Sequence, residues 1–225
     1  CGITYVMTHE ALVVVSSPSH NPIGKNLPKP QSVPVWIYQL ETGKWSIFDD
    51  KGRTAPNLFG AATAYDELEN NHFICKAGLW VMNLTNVSLE KINRAPDCLH
   101  RTMVFDNARR HLYIFGSYKG TSNISRLDIG VSKKRSKNWI ELTAGGDHSP
   151  PYSSVPVAFD NKEGVFLLVV DDPDHSAGKT PNAPTTFSYD PETNAYEKIG
   201  DKSLPAVGMN FMMTWDEIHN VFFLL

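Results

Sequence analysis

The chain has 225 residues, 41% of them hydrophobic and 11% aromatic, which is enough to bury a sizeable core, and its 15 glycines and 15 prolines supply many turns. Its 21 basic and 24 acidic residues are interspersed, and the net charge of -3 excludes the basic footprint of a nucleic-acid binder. No apolar run reaches the roughly 18 residues of a membrane helix, so no membrane span is expected in this segment.

The first element, Gly2–Val15, is an apolar run, a short polar turn and a second run rich in valine, the pattern of a buried β-hairpin. It starts directly after Cys1, with no signal-peptide pattern ahead of it. Val35–Ile47 forms a second hairpin. The two kinds then alternate. Hairpins of the first kind recur at Ala62–Ile74, Arg101–Phe115, Val155–Val169 and Met209–Leu225, each with Asp ahead of its turn. Hairpins of the second kind recur at Leu79–Ile92, at Ile124–Ile129 through Trp139–Leu142, and at Thr186–Ile199. Asp66 to Asp106 spans 40 residues, Asp106 to Asp160 spans 54, and Asp160 to Asp216 spans 56. Four strands per unit at this period predict an all-β chain of four-stranded antiparallel β-propeller blades. The repeats fall at about 1–55, 56–97, 98–147, 148–204 and 205–225, one partial propeller domain of about four and a half blades. Val221–Leu225 ends inside a second strand, so the expectation is a fragment of a six- or seven-bladed parent whose remaining blades complete it, or a five-bladed ring lacking its last hairpin.

Tyr189-Asp-Pro-Glu-Thr-Asn-Ala-Tyr196 resembles the third-to-fourth strand turn of kelch repeats and of the galactose-oxidase central propeller, and Tyr38–Trp45 matches it in the first repeat. Where kelch repeats carry a Gly-Gly pair after the second strand, this chain reads Ser16-Ser17, Ala77-Gly78, Gly116-Ser117 and Asp171-Asp172. The crosslinked Cys and Tyr and the paired copper histidines of galactose oxidase have no counterpart here.

Cys1, Cys75 and Cys98 form no metal-binding spacing. Cys75 ends a second strand and Cys98 precedes the next first strand, so they could lie together as a disulfide or as buried free thiols. Asn83-Leu-Thr, Asn86-Val-Ser and Asn123-Ile-Ser match the glycosylation pattern and lean toward a secreted or extracellular parent. Lys133–Lys137 reads as a solvated basic turn, with a contact to a phosphate or an acidic partner as the alternative.

In a blade, hairpin turns emerge on one face and the remaining loops on the other. His9, His72, His111 and His219 are predicted in first-to-second strand turns, with structural roles in which the ring bonds to nearby backbone. His20, His100, His148 and His175 are predicted in the opposite loops, two of which are long, and binding residues are usually placed on such loops. The loop face should also collect Arg53, Arg94, Arg101, Asp97, Asp147, Tyr118, Tyr152 and the run Asp171–Asp174. Imidazole, guanidinium, phenol and carboxylate together suit a sugar or uronate, whose carboxylate an Arg fork would hold.

Two functions follow. The first is a non-catalytic module binding a glycan or protein through this face, with His20, Arg53, Arg94, Tyr152 and His175 as ligand contacts. The second is a carbohydrate-active enzyme, a polysaccharide lyase or an oxidase. A lyase would use His100, His148 or Tyr118 to take a proton beside a carboxylate that Arg101 neutralises. No cofactor is expected. A divalent metal remains the one candidate, with Asp171, Asp172, Asp174 and His175 as ligands.

Overall fold

A computed structural model describes residues 2–6, 9–15, 35–48, 60–86, 88–99, 101–116, 124–130, 138–147, 155–170, 185–200 and 212–224. These residues form two compact units, Cys1–Leu99 and His100–Leu225.

The first unit holds two antiparallel blades. One runs β1 (Gly2–Val6), β2 (Ala11–Val15), β3 (Val35–Gln39), β4 (Lys44–Ile47), and the other β5 (Ala62–Asp66), β6 (Asn71–Cys75), β7 (Leu79–Asn83), β8 (Ser88–Asn93), each with its strands in chain order. The innermost strands β1 and β5 touch. Between the blades, Val6, Val13, Val15, Val35 and Phe48 meet Ile74, Met82 and Leu89 in one buried cluster. The inner strand β2, Ala-Leu-Val-Val-Val, reads as a continuous apolar run and is buried at four of its five residues, whereas the outer strands β4 and β8 alternate with polar, exposed residues.

The second unit begins with β9 (Thr102–Asp106), β10 (His111–Phe115), β11 (Ile124–Asp128) and β12 (Ile140–Leu142). Its next blade is β14 (Val157–Asp160), β15 (Val165–Val170), β16 (Thr185–Asp190) and β17 (Ala195–Gly200). A hairpin of β18 (Met213–Asp216) and β19 (Val221–Leu224) follows, with β18 against β14 as β14 is against β9. The core here is aromatic: Tyr113, Phe115, Phe159, Phe166, Tyr189 and Tyr196 pack together, with Phe166 wholly buried. The fold is therefore all-β, built of four-stranded antiparallel propeller-type blades with a further hairpin, as the repeat predicts.

The repeated Asp has a specific job. Its side chain folds back on the turn: Asp66 Oδ1 accepts from the amides of Leu68 and Glu69, Asp160 Oδ1 from Lys162 and Glu163, and Asp216 Oδ1 from Ile218 and His219. Asp106 accepts from the Arg109 amide and Asp190 from the Glu192 amide. Each turn then closes through a left-handed residue: Asn70 (φ 54°), Arg110 (φ 61°), Gly164 (φ 73°), Asn194 (φ 53°) and Asn220 (φ 57°). Asn and Gly tolerate that conformation best, which accounts for four of the five.

One element lay beyond the sequence pattern. Just before the expected repeat boundary at 147, β13 (Gly145–Gly146) leaves its own blade and pairs in parallel with β17, the outer edge of the next one. Gly145 N–H donates to Asn194 O and Asp147 N–H to Tyr196 O, both at 2.9 Å. Gly146 adopts φ 82° and lies so close to the Tyr196 backbone that a Cβ would collide with it. The strap occupies edge groups that would otherwise be open to pairing with another chain.

Candidate functional site

On the loop face, four of the predicted residues are described. Arg101 turns inward: its Nη2 donates to Ile114 O and to Ser125 Oγ, both at 3.2 Å. Ser125, fully buried, donates in turn to Glu141 Oε1 at 2.7 Å. Asp147 is part of the strap, its Oδ2 accepting from the Lys198 amide at 3.4 Å, and Asp97 Oδ1 accepts from the Leu99 amide at 3.1 Å. Arg94 is exposed. His20, Arg53, His100, Tyr118, His148, Tyr152, Asp171, Asp172, Asp174 and His175 lie outside the described residues, as do Asn123 and Lys133–Lys137. Among the described residues, no group of three or more His, Cys, Asp or Glu is placed to hold a metal.

The turn face is described far more fully. His9 Nδ1 lies 3.3 Å from Asn70 Nδ2, and the same Asn70 accepts from Tyr65 Oη at 2.6 Å. His219 Nδ1 sits 2.8 Å from Asp216 Oδ2, and that hydrogen bond holds the exposed carboxyl below its usual range. Two of the four turn histidines are displaced from expectation. His72 and His111 lie in strands β6 and β10, because each turn ends at its left-handed residue and the chain is already extended beyond it. Among the described residues, the His9 ring lies against Asn70 and the His219 ring against Asp216, and neither ring nitrogen of His72 has a hydrogen-bond partner. Burial, followed by the charge of Arg126, lowers the pKa of His111.

Arg109, which the sequence did not mark out, ties three turns of the second unit together. Its guanidinium reaches Asp106 Oδ2 at 3.1 Å, Gly164 O at 3.4 Å and Glu192 Oε1 at 2.7 Å. Burial opposes the charge, but the hydrogen bonds to Glu192 and Asp106 outweigh it and raise the pKa. Glu192 belongs to the turn between β16 and β17, in which Tyr189 Oη also donates to Asn194 Oδ1 at 2.9 Å and Thr193 Oγ1 to Asp190 Oδ2 at 2.9 Å. Burial pushes the phenols of Tyr189 and Tyr196 well above their ordinary range, so neither serves as a base near neutral pH.

Cys75 and Cys98 form a disulfide, with Cα atoms 5.9 Å apart, which settles the alternative between a bridge and free thiols. Asn83, the first glycosylation-pattern residue, is engaged within its turn. Its Nδ2 donates to Asn70 O at 3.3 Å and to Asn71 Oδ1 at 3.2 Å, and its Oδ1 accepts from the Thr85 and Asn86 amides. Asn86 is exposed on the same turn.

No protein-family model matches the chain, and no curated protein does. Among solved structures, it is similar to an auxiliary nutrient binding protein from Bacteroides thetaiotaomicron, with a TM-score of 0.64 and 12% identity over 99% of this chain and 55% of that one. It is also similar to Kuenenia stuttgartiensis hydrazine synthase, with a TM-score of 0.49 and 15% identity over 76% of this chain and 44% of that one. The chain thus spans about half the length of these proteins or less. The first likeness bears on the fold alone, which it supports, and no helix among the described residues is long and apolar enough to cross a membrane.

Proposed function

We propose that this chain is a kelch-like propeller module that binds a glycan or protein ligand through its loop face and carries out no chemistry there. The observation that carries this reading is how the turn face spends its polar groups. The carboxylates of Asp66, Asp106, Asp160, Asp190 and Asp216, the Arg109 guanidinium and the His219 ring are all committed to closing or joining turns. Those residues build a frame, and recognition then belongs to the irregular loops at the opposite ends of the strands, as on other rigid scaffolds. The fold neighbour described as an auxiliary nutrient binding protein agrees with ligand binding. The Cys75–Cys98 bridge supports an oxidising, extracellular setting.

A glycan-array screen of the full-length protein, with and without chelator and with product analysis of each hit, tests this. Binding that leaves the glycan intact is the expected result. Cleavage or oxidation of the bound sugar would replace the module with an enzyme, and loss of binding on chelation would bring a metal into the site. Failure to retain any glycan would reduce the proposal to a protein ligand.

A further inference from the structure

His72 occupies a position that is apolar in the other first-to-second strand hairpins, where the same register place holds Leu12, Leu112, Phe166 and Phe222. In register, the row Tyr65, His72, Met82, Leu89 across the second blade corresponds to Phe159, Phe166, Tyr189, Tyr196 across the blade of β14 to β17. In both, the first residue precedes the turn Asp, and the row includes residues buried against the preceding blade, Met82 and Leu89 in the first unit and Phe166, Tyr189 and Tyr196 in the second. Phe166 takes the second place of the row in the second unit, wholly buried, and His72 takes it in the first, 1% exposed. Neither Nδ1 nor Nε2 of His72 has a hydrogen-bond partner. A buried polar ring left without a partner is less favourable than an apolar ring of the same shape, because its desolvation is not repaid by a hydrogen bond. A residue that breaks the packing rule at such a cost is a candidate for a role beyond packing.

We propose that His72 is an acid-operated switch in the first unit: once its ring is protonated, the packing of the first blade on the second opens, while the second unit, with Phe166 at the same place, stays packed. The surroundings offer an imidazolium little to pair with. From β5 the facing titratable group is Tyr65, whose ring centroid is 6.5 Å away and whose hydroxyl is given to Asn70. From β7 and β8 the row presents Met82 and Leu89, and β1, β2 and β3 contribute Val6, Val13, Val15, Val35 and Ile37 to the cluster. The turn between β1 and β2 carries two titratable groups, His9, which engages Asn70, and Glu10.

Burial alone lowers the pKa of His72 from 6.5 to about 4. The unfolded chain then binds the proton more readily than the folded one between these values. This contribution to stability is fully present above pH 6.5, falls as the pH drops, and levels off below about 4. The difference corresponds to a loss on the order of 100-fold in the folded-to-unfolded ratio.

Denaturant unfolding and amide hydrogen exchange of the whole chain at pH 7 and pH 4 test the proposal, comparing wild type with His72→Phe and His72→Gln. Wild type should lose on the order of 100-fold more of its folded-to-unfolded ratio between the two pH values than His72→Phe does. At pH 4 its exchange should quicken in β1 to β8 relative to the variant, with β14 to β17 unchanged. His72→Gln keeps a polar side chain without a proton to gain, so it should be destabilised at both pH values yet show the flat profile of His72→Phe. Parallel acid losses in all three proteins, or an acid-sensitive His72→Gln, would overturn the switch, and the Gln variant decides the matter if Phe fits poorly.

Discussion

Replacing Phe166 by alanine is expected to lower the stability of the second unit by about 4 kcal/mol, the middle of the range for truncating a buried aromatic. Phe166 is fully buried, and its ring centroid lies 4.8 Å from Tyr113, 5.0 Å from Phe115, 4.6 Å from Phe159 and 6.0 Å from Tyr189. Every one of those rings loses a neighbour at once, and strands of two blades supply the walls, so the void cannot collapse without moving a blade. The tilted arrangement adds roughly 0.5–1.5 kcal/mol per pair beyond burial. Phe166→Leu keeps most of the volume and should cost well under half as much. Thermal unfolding followed by the near-ultraviolet signal of the tyrosines would measure both, and equal losses for Ala and Leu would show that the cluster is loosely packed.

The second large effect belongs to the disulfide. Cys75 and Cys98 are 23 residues apart, and cross-linking a loop of that length restricts the unfolded chain by about 3 kcal/mol. The bridge joins the end of β6 to the segment leading out of the blade, with Cys75 and Cys98 both buried. Cys75→Ala and Cys98→Ala should each lower stability by about 3 kcal/mol, and a reductant should bring wild type to the same level without harming the variants further. Thiol titration of the denatured, unreduced protein checks the premise. Reactive Cys75 and Cys98 in protein prepared under oxidising conditions would contradict it.

Blades were legible because their determinants are local. Asp160 with Gly164, or Asp216 with Asn220, marks a turn by its own side-chain bonds and left-handed closure, and the valines of β2 or β15 mark strands covered on both faces. Gly145–Gly146 was not legible, since two glycines carry no periodicity and the strap is defined by a partner 50 residues along the chain. The sequence pattern places His72 in a turn for a similar reason: chain spacing resolves a hairpin but not where its turn ends, and one residue decides which face a side chain takes. Arg109 carries no local signal of its role, because its partners Gly164 and Glu192 come from other hairpins. The loop residues gave only a composition. Their segments have no repeat to align against, so nothing in the pattern says which of His20, Arg53, Tyr152 and His175 converge.

The division between a structural turn face and a binding loop face is tested most directly by measuring affinity and melting temperature together on two sets of variants, using a ligand found in the screen. Arg53→Ala, Tyr152→Ala and His175→Ala should weaken binding by roughly tenfold or more, about 1.4 kcal/mol each, with melting unchanged. Asp106→Ala and Arg109→Ala should lower the melting temperature and leave the affinity of the folded protein intact. Binding that survives the loop substitutions and fails with the turn substitutions would contradict the account.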